Sequence, residues 1–198
     1  MRIGRICVFC GSSSGASPKY ARAARQLGLA LVGRNIQLVY GGGRVGLMGQ
    51  LARAVTEAGG TVIGVIPRQL VERELAFTQA SDLRIVDSMH ERKSLMADLA
   101  DGFIALPGGL GTVEELFEIL TWAQLGMHGR PCGIVDVDDY FRRLTDFVDY
   151  AVEQRFVEPQ HRDMLLVDSD PVRLLERFEE YRPPNVDKAK WALSMEAI

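Results

Sequence analysis

The stretch Ile36-Gln37-Leu38-Val39-Tyr40-Gly41-Gly42-Gly43-Arg44-Val45-Gly46-Leu47 decides how this chain folds. Its first five residues are a short apolar run that reads as a strand. A glycine-rich turn follows, and then Leu47–Ala58 carries apolar residues at helical spacing. The same strand, glycine loop and helix recur twice: Arg5–Phe9 runs into Gly11-Ser12-Ser13-Ser14-Gly15, and Gly102–Leu106 runs into Pro107-Gly108-Gly109-Leu110-Gly111-Thr112. Further strands are read at Thr61–Ile66, Arg84–Val86, Cys132–Val137 and Met164–Val167. Further helices are read from Pro18 behind a Ser17 cap, and at Met89–Ala100, Val113–Leu125, Tyr140–Glu153 and Val172–Glu180. Several of the strands are apolar almost throughout, as strands covered on both faces are. Strands alternating with helices through short connections make a parallel sheet with right-handed crossovers. The expected fold is therefore α/β: a doubly wound, Rossmann-like sheet of about seven strands with helices on both faces.

One domain is expected over residues 1–181, with the Arg182-Pro183-Pro184-Asn185 punctuation opening a tail over 182–198. With 198 residues, 47% of them hydrophobic and 25% charged, the chain can bury a full core without disulfides or a structural metal. Lys plus Arg is 23 against 26 Asp plus Glu, a formal charge of −3, so no dense basic face serves nucleic acid. No apolar run reaches the ~18 residues of a membrane span. The opening Met1-Arg2-Ile3-Gly4-Arg5 leads straight into a strand without the small-residue cleavage site of a secretory signal. These features point to a cytoplasmic protein that partners neither nucleic acid nor membrane. Three cysteines, an odd number, fit a reducing compartment. Cys7 and Cys10 form a C-x-x-C, but within a strand an odd separation sends the two thiols to opposite faces, so both read as packing.

The three glycine loops lie at the carboxyl ends of their strands, where open α/β sheets bind ligands. Glycine lets backbone approach an anion closely, and the free N–H groups of a helix start point at it. Gly11, Ser12, Gly42, Gly43, Gly108, Gly109, Gly111 and Thr112 are the candidate contacts to a phosphate-bearing ligand. Gly41, Gly43 and Gly46 satisfy G-x-G-x-x-G formally. However, the next strand ends Val65-Ile66-Pro67-Arg68 without the carboxylate a dinucleotide ribose needs. The G-x-x-x-x-G-K-[ST] phosphate loop is absent too, which leaves a mononucleotide or a sugar phosphate.

Charged residues crowd two helix starts. Ser88 and Glu91 have capping-box spacing. Behind them, Arg92 falls within the apolar face formed by Met89, Leu95, Met96, Leu99 and Ala100, with Lys93 at its margin and His90 on the solvated side. A guanidinium cannot shed its charge, so an inward one requires an anionic partner, either a protein carboxylate or a ligand, unless its stem snorkels the charge out to solvent. Thr112-Val113-Glu114-Glu115 also reads as a capping box. Val113, Leu116, Phe117 and Leu120 form its apolar stripe, and Glu114, Glu115, Glu118 and Thr121 lie off it. Capping and ligand contact are both open to Glu114 and Glu115. Glu72, Arg73 and Glu74 follow the third strand and are placed to close over the same crevice. No cluster of His, Cys and carboxylates has metal-ligand spacing, and Asp136, Asp138 and Asp139 read as a post-strand turn and helix cap. Neither a metal nor a cofactor is expected.

Taken together, Cys7–Ser14, Gly41–Gly49, Met89–Lys93, Pro107–Glu115 and Thr121-Trp122-Ala123-Gln124-Leu125-Gly126 resemble the Lonely Guy family, the cytokinin riboside 5′-monophosphate phosphoribohydrolases. The specific part is P-G-G-x-G-T-x-x-E, ending at Glu115, in combination with Glu91-Arg92-Lys93. Leu110 takes a position where many relatives have Tyr. The resemblance implies a hydrolase that cleaves the N-glycosidic bond of an adenine-type nucleoside monophosphate. It carries Arg92 and Glu115 over as catalytic residues, and Glu74, Lys93, Glu114 and Thr121 as substrate contacts. It also implies a homodimer or higher homo-oligomer. Members are often labelled lysine decarboxylases, a label that nothing here supports, since no lysine is marked for pyridoxal phosphate. Two other readings share the glycine edge: a non-catalytic nucleotide carrier or sensor, and a general AMP nucleosidase.

Overall fold

The computed structural model describes residues 3–73 and 75–184. Seven strands, β1 (Arg5–Phe9), β2 (Gln37–Tyr40), β3 (Val62–Pro67), β4 (Asp82–Val86), β5 (Gly102–Ala105), β6 (Cys132–Val135) and β7 (Leu165–Asp168), form one sheet in the order β4-β3-β2-β1-β5-β6-β7. Every pairing is parallel. The chain therefore walks outward from β1 to β4, returns to the other side of β1 and walks outward again, so β1 and β5 flank the reversal point where such sheets bind ligands. Register sets Val8 beside Tyr40 on one side and Ile104 on the other, so β2, β1 and β5 end at one level and their three glycine loops are neighbours.

Helices α1 (Pro18–Gly33), α2 (Gly46–Glu57), α3 (Arg68–Glu72), α4 (Met89–Leu99), α5 (Leu110–Gln124), α6 (Arg142–Glu153), α7 (Pro159–Arg162) and α8 (Pro171–Glu180) complete the fold. Alternation along β1 shows how the layers form. Ile6 and Val8 join Leu27, Leu31, Leu51, Val55 and Phe178 in the core under α1, α2 and α8. Cys7 and Phe9 turn to the opposite core, with Met96 and Ala97 of α4 and Ile119 of α5. Both faces of the central strands are covered, which is why they are apolar almost throughout. The C-x-x-C follows the same alternation: Cys7 lies in one core and Cys10 in the other, both buried, and burial holds both thiols well above their usual range.

Four local differences from the sequence reading have physical causes. The single-turn helices α3 and α7 are too short to print a periodicity. Helix α5 begins at Leu110 rather than Val113, with an extended Gly109 as its cap residue and no side chain capping it. Gly111 is a poor helix former, yet it is accommodated in this first turn. Thr112 is consequently inside the helix, and no capping box joins it to Glu115. Helix α6 begins at Arg142 because Asp138 and Asp139 both turn left-handed, φ 58° each, while Asp136 accepts the Phe141 N–H at 2.9 Å. Of the tail, residues 185–198 lie outside the described residues.

The glycine loops after β1 and β2 are folded onto each other. Gly46, at φ 58°, packs its α-carbon against the backbone of Ser12, and the N–H of Leu47 donates to the Gly11 carbonyl at 3.0 Å. Gly46→Ala adds a left-handed alanine and a clash with backbone, and should lower stability by at least ~2 kcal/mol. Gly33→Ala, at a helical position with open space around it, should raise stability by ~0.5–1 kcal/mol. Urea unfolding of the two variants beside the parent checks both signs.

Candidate active site

A cavity of about 430 Å³ opens at the carboxyl ends of β2, β1 and β5. Its walls combine Gly11 and Ser12, Gly41 and Gly43, Arg92 of α4, and the first turn and a half of α5 from Gly109 to Glu115. Met48, Ile66, Leu70, Leu75 and Met89 make one side apolar. Leu75 arrives because the segment after α3 clasps the β2 loop: Arg44 N–H donates to Leu75 O at 2.8 Å, and Phe77 N–H donates to Gly42 O at 2.8 Å.

Arg92 points inward, as its place on the helix requires, and its partner is Glu115. The guanidinium Nη1 lies 3.3 Å from Glu115 Oε1, and each side chain is only 11% exposed. Arg92 Nε also donates to the Val65 carbonyl at 3.2 Å. The Nη2 end of the guanidinium abuts Gly41, where any β-carbon would overlap it. Gly41 is therefore glycine to make room for the arginine. The stripe that α5 buries is Thr112, Glu115, Leu116, Ile119 and Ala123, so Glu115 belongs to it rather than lying off it. A pattern of apolar letters places every carboxylate outside, whereas here a guanidinium from α4 compensates one within.

Beside this pair sits a second. Lys93 Nζ is 2.5 Å from Glu114 Oε1 and 3.0 Å from Glu118 Oε1, with the lysine side chain 13% exposed. Two consecutive cations of α4 thus meet three carboxylates of α5. Burial pushes the Glu115 carboxyl above the usual carboxylate range; Arg92 pulls it down, Glu114 pushes it up, and Lys93 and Glu118 act more weakly in opposite senses. The hydrogen bond that the Lys93 ammonium donates to Glu114 holds it above its usual value.

The three loops are not equivalent. The start of α2 is occupied by the Gly11 carbonyl, which Leu47 and Met48 approach at 3.0 and 3.4 Å, and α1 is capped by Ser17. Helix α5 alone among the three presents uncapped first-turn N–H groups, those of Leu110, Gly111 and Thr112, on the cavity wall. That turn is where an anion is best held.

The cavity gathers Arg92, Glu115, Gly11, Ser12, Gly43, Gly109, Gly111, Thr112 and Glu114 from the expected residues. It does not gather the others. Gly42 stands behind the wall against Ile66, and Lys93 is taken up by its two carboxylates. Gly108 lines a neighbouring crevice of about 260 Å³. Thr121 is exposed and donates to the Phe117 carbonyl at 2.7 Å. Glu74 lies outside the described residues. Gly41 and the apolar wall were missed: contacts assembled from distant segments leave no local signal.

The environment of Glu115 predicts its titration. Arg92 and Lys93 face it from α4, Glu114 and Glu118 from its own helix, and the neutral thiols of Cys7 and Cys10 from the β1 strand and its end. Carboxyl-detected NMR should place its midpoint above the ~4.3 of an unperturbed glutamate. Lys93→Met should raise it further and Glu118→Gln should lower it. A midpoint at the ordinary value contradicts this assignment.

A family model described as "Possible lysine decarboxylase" matches residues 48–178. A protein of Oryza sativa subsp. japonica named "Probable cytokinin riboside 5′-monophosphate phosphoribohydrolase" is 49% identical over 195 residues, covering 97% of this chain and 80% of that one. A cytokinin riboside 5′-monophosphate phosphoribohydrolase of Arabidopsis thaliana is 50% identical over 182 residues, covering 92% of this chain and 84% of that one. Among solved structures, the molybdenum cofactor binding protein of Rippkaea orientalis superposes with a TM-score of 0.69 at 21% identity, covering 91% of this chain and 98% of that one. At that identity the likeness is one of fold.

Proposed function

The chain belongs to the Lonely Guy family, that of the cytokinin riboside 5′-monophosphate phosphoribohydrolases, and on that footing we propose that it hydrolyses the N-glycosidic bond of N6-substituted adenosine 5′-monophosphates and of AMP, releasing the free base and ribose 5-phosphate. The observation that carries the reading is the Arg92–Glu115 pair, 3.3 Å apart on a cavity wall beside the uncapped start of α5.

Glycosidic cleavage passes through an oxocarbenium-like state whose positive charge a close carboxylate stabilises. Glu115 takes this role and orients or deprotonates the attacking water. Burial, by raising its basicity, suits it to accept that proton. Arg92 cannot donate a proton at neutral pH, so it acts by charge, on the phosphate or on the departing base. Glu114, whose charge Lys93 offsets, is a substrate contact. The first-turn N–H groups of α5, with Gly109, Gly111 and Thr112, hold the 5′-phosphate. The apolar wall receives the base. A pyridoxal-dependent decarboxylase needs a lysine at its reacting centre. Among the described residues no lysine lines this cavity, and Lys93 beside it is held between two carboxylates.

The reading includes a cytoplasmic setting, which three free buried thiols suit, and a homodimer or higher assembly. Leu110 is 91% exposed at the cavity mouth, with Leu125 and Met127 bare at the far end of the same helix. Sedimentation should give a species of at least twice 21.9 kDa; a monomer alone at working concentration contradicts the assembly.

Glu115→Gln keeps size and hydrogen bonding but removes charge and basicity. Turnover of AMP and N6-isopentenyl-AMP should fall at least about a hundredfold while AMP still raises the melting temperature. Near-normal base release by the folded variant moves the role to Glu114. Binding without base release by the parent protein supports a carrier instead.

A further inference from the structure

The crevice beside the cavity contains a contact that the proposed chemistry does not use. The Tyr140 hydroxyl donates to the Gly108 carbonyl at 2.6 Å. That carbonyl shares one peptide unit with the N–H of Gly109, and no peptide bond among the described residues is cis. In a trans unit the two groups point in opposite directions. A hydroxyl fixing the carbonyl from the crevice side therefore aims the Gly109 N–H away from Tyr140. Gly109 itself lines the cavity, and no described group accepts a hydrogen bond from its N–H.

Tyr140 is itself held in place. It follows Asp138 and Asp139, two consecutive non-glycine residues at φ 58°, an arrangement that persists only where surroundings enforce it. Asp136 pins the far side of the turn at the Phe141 N–H, 2.9 Å, and Lys19 pins its tip at Asp138, 2.8 Å. The rings of Tyr20 and Phe141 meet the Tyr140 ring edge-on, at 5.6 and 5.0 Å. A hydroxyl at the end of so constrained a turn is a fixed donor. Donation to a carbonyl also polarises the N–H of the same peptide, which strengthens it as a donor to an anion.

We propose that Tyr140 is a positioning residue for the phosphate of the substrate, acting through the Gly108–Gly109 peptide without touching the ligand. The inference rests on the reading of the start of α5 as the phosphate site. Tyr140→Phe keeps the ring contacts and removes only the hydroxyl. Its kcat/KM for AMP should fall about tenfold, chiefly through KM, the order expected for one oriented hydrogen bond. Inhibition by inorganic phosphate should weaken by a similar factor, while turnover of adenosine and the melting temperature stay at parent values. An unchanged ratio of AMP to adenosine efficiency, with unchanged phosphate inhibition, overturns the role of Tyr140. Equal losses on both substrates with a lowered melting temperature overturn it too, in favour of packing alone. A parent protein that does not prefer AMP to adenosine overturns the phosphate site itself, an outcome separate from either.

Discussion

A guanidinium and a carboxylate are held 3.3 Å apart at the edge of an apolar core, and the rest of the site is arranged around that requirement. Each charge would be costly there alone, since desolvation of an unpaired ion outweighs what packing returns. Together they tie α4 to α5 across the end of the sheet. The neighbouring Lys93 repeats the tie one residue further along α4, with two carboxylates in place of one. Even the absence of a side chain at Gly41 follows from this pair, because the guanidinium occupies the space a β-carbon would need. Arg92, Glu115 and Gly41 are best regarded as one unit contributed by three segments.

The glycine loops show how similar sequence can have different uses. All three follow adjacent parallel strands and end level with one another. Two of them fold together through Gly46 against Ser12 and through the Gly11 carbonyl at the start of α2, building a rigid floor. The third leaves its helix start uncapped. Glycine permits close approach by any partner, and neighbouring elements determine whether that partner is backbone, a side chain or a ligand.

The fold was legible in the sequence because apolar strands and periodic helices report burial directly, and each of the seven strands lies within two residues of its expected bounds. The inward arginine was legible for the same reason: one charge on an otherwise apolar face is conspicuous. Glu115 was legible as a motif residue but misplaced as a side chain, because Thr112-x-x-Glu115 imitates a cap when the true helix start at Gly109 is not seen. The apolar wall was not legible at all. Its Leu70 and Leu75 depend on α3 and the strand-like clasp of Ala76 on Gly43, features too short to print a pattern, and Met48, Ile66 and Met89 meet them only in the fold.

That clasp has a consequence for how such a site can change over time. The charged pair is carried by α4 and α5, anchored in the core, whereas Leu70 and Leu75 come from the connection between β3 and β4. This connection touches the floor through backbone hydrogen bonds from Arg44 and Phe77, contacts that do not depend on side-chain identity. Leu70 and Leu75 can be exchanged while the bonds persist and Phe77 stays anchored in the core. Selection can therefore reshape what the cavity accepts without disturbing the groups that carry charge, so ligand preference and chemistry are separately heritable in one small fold.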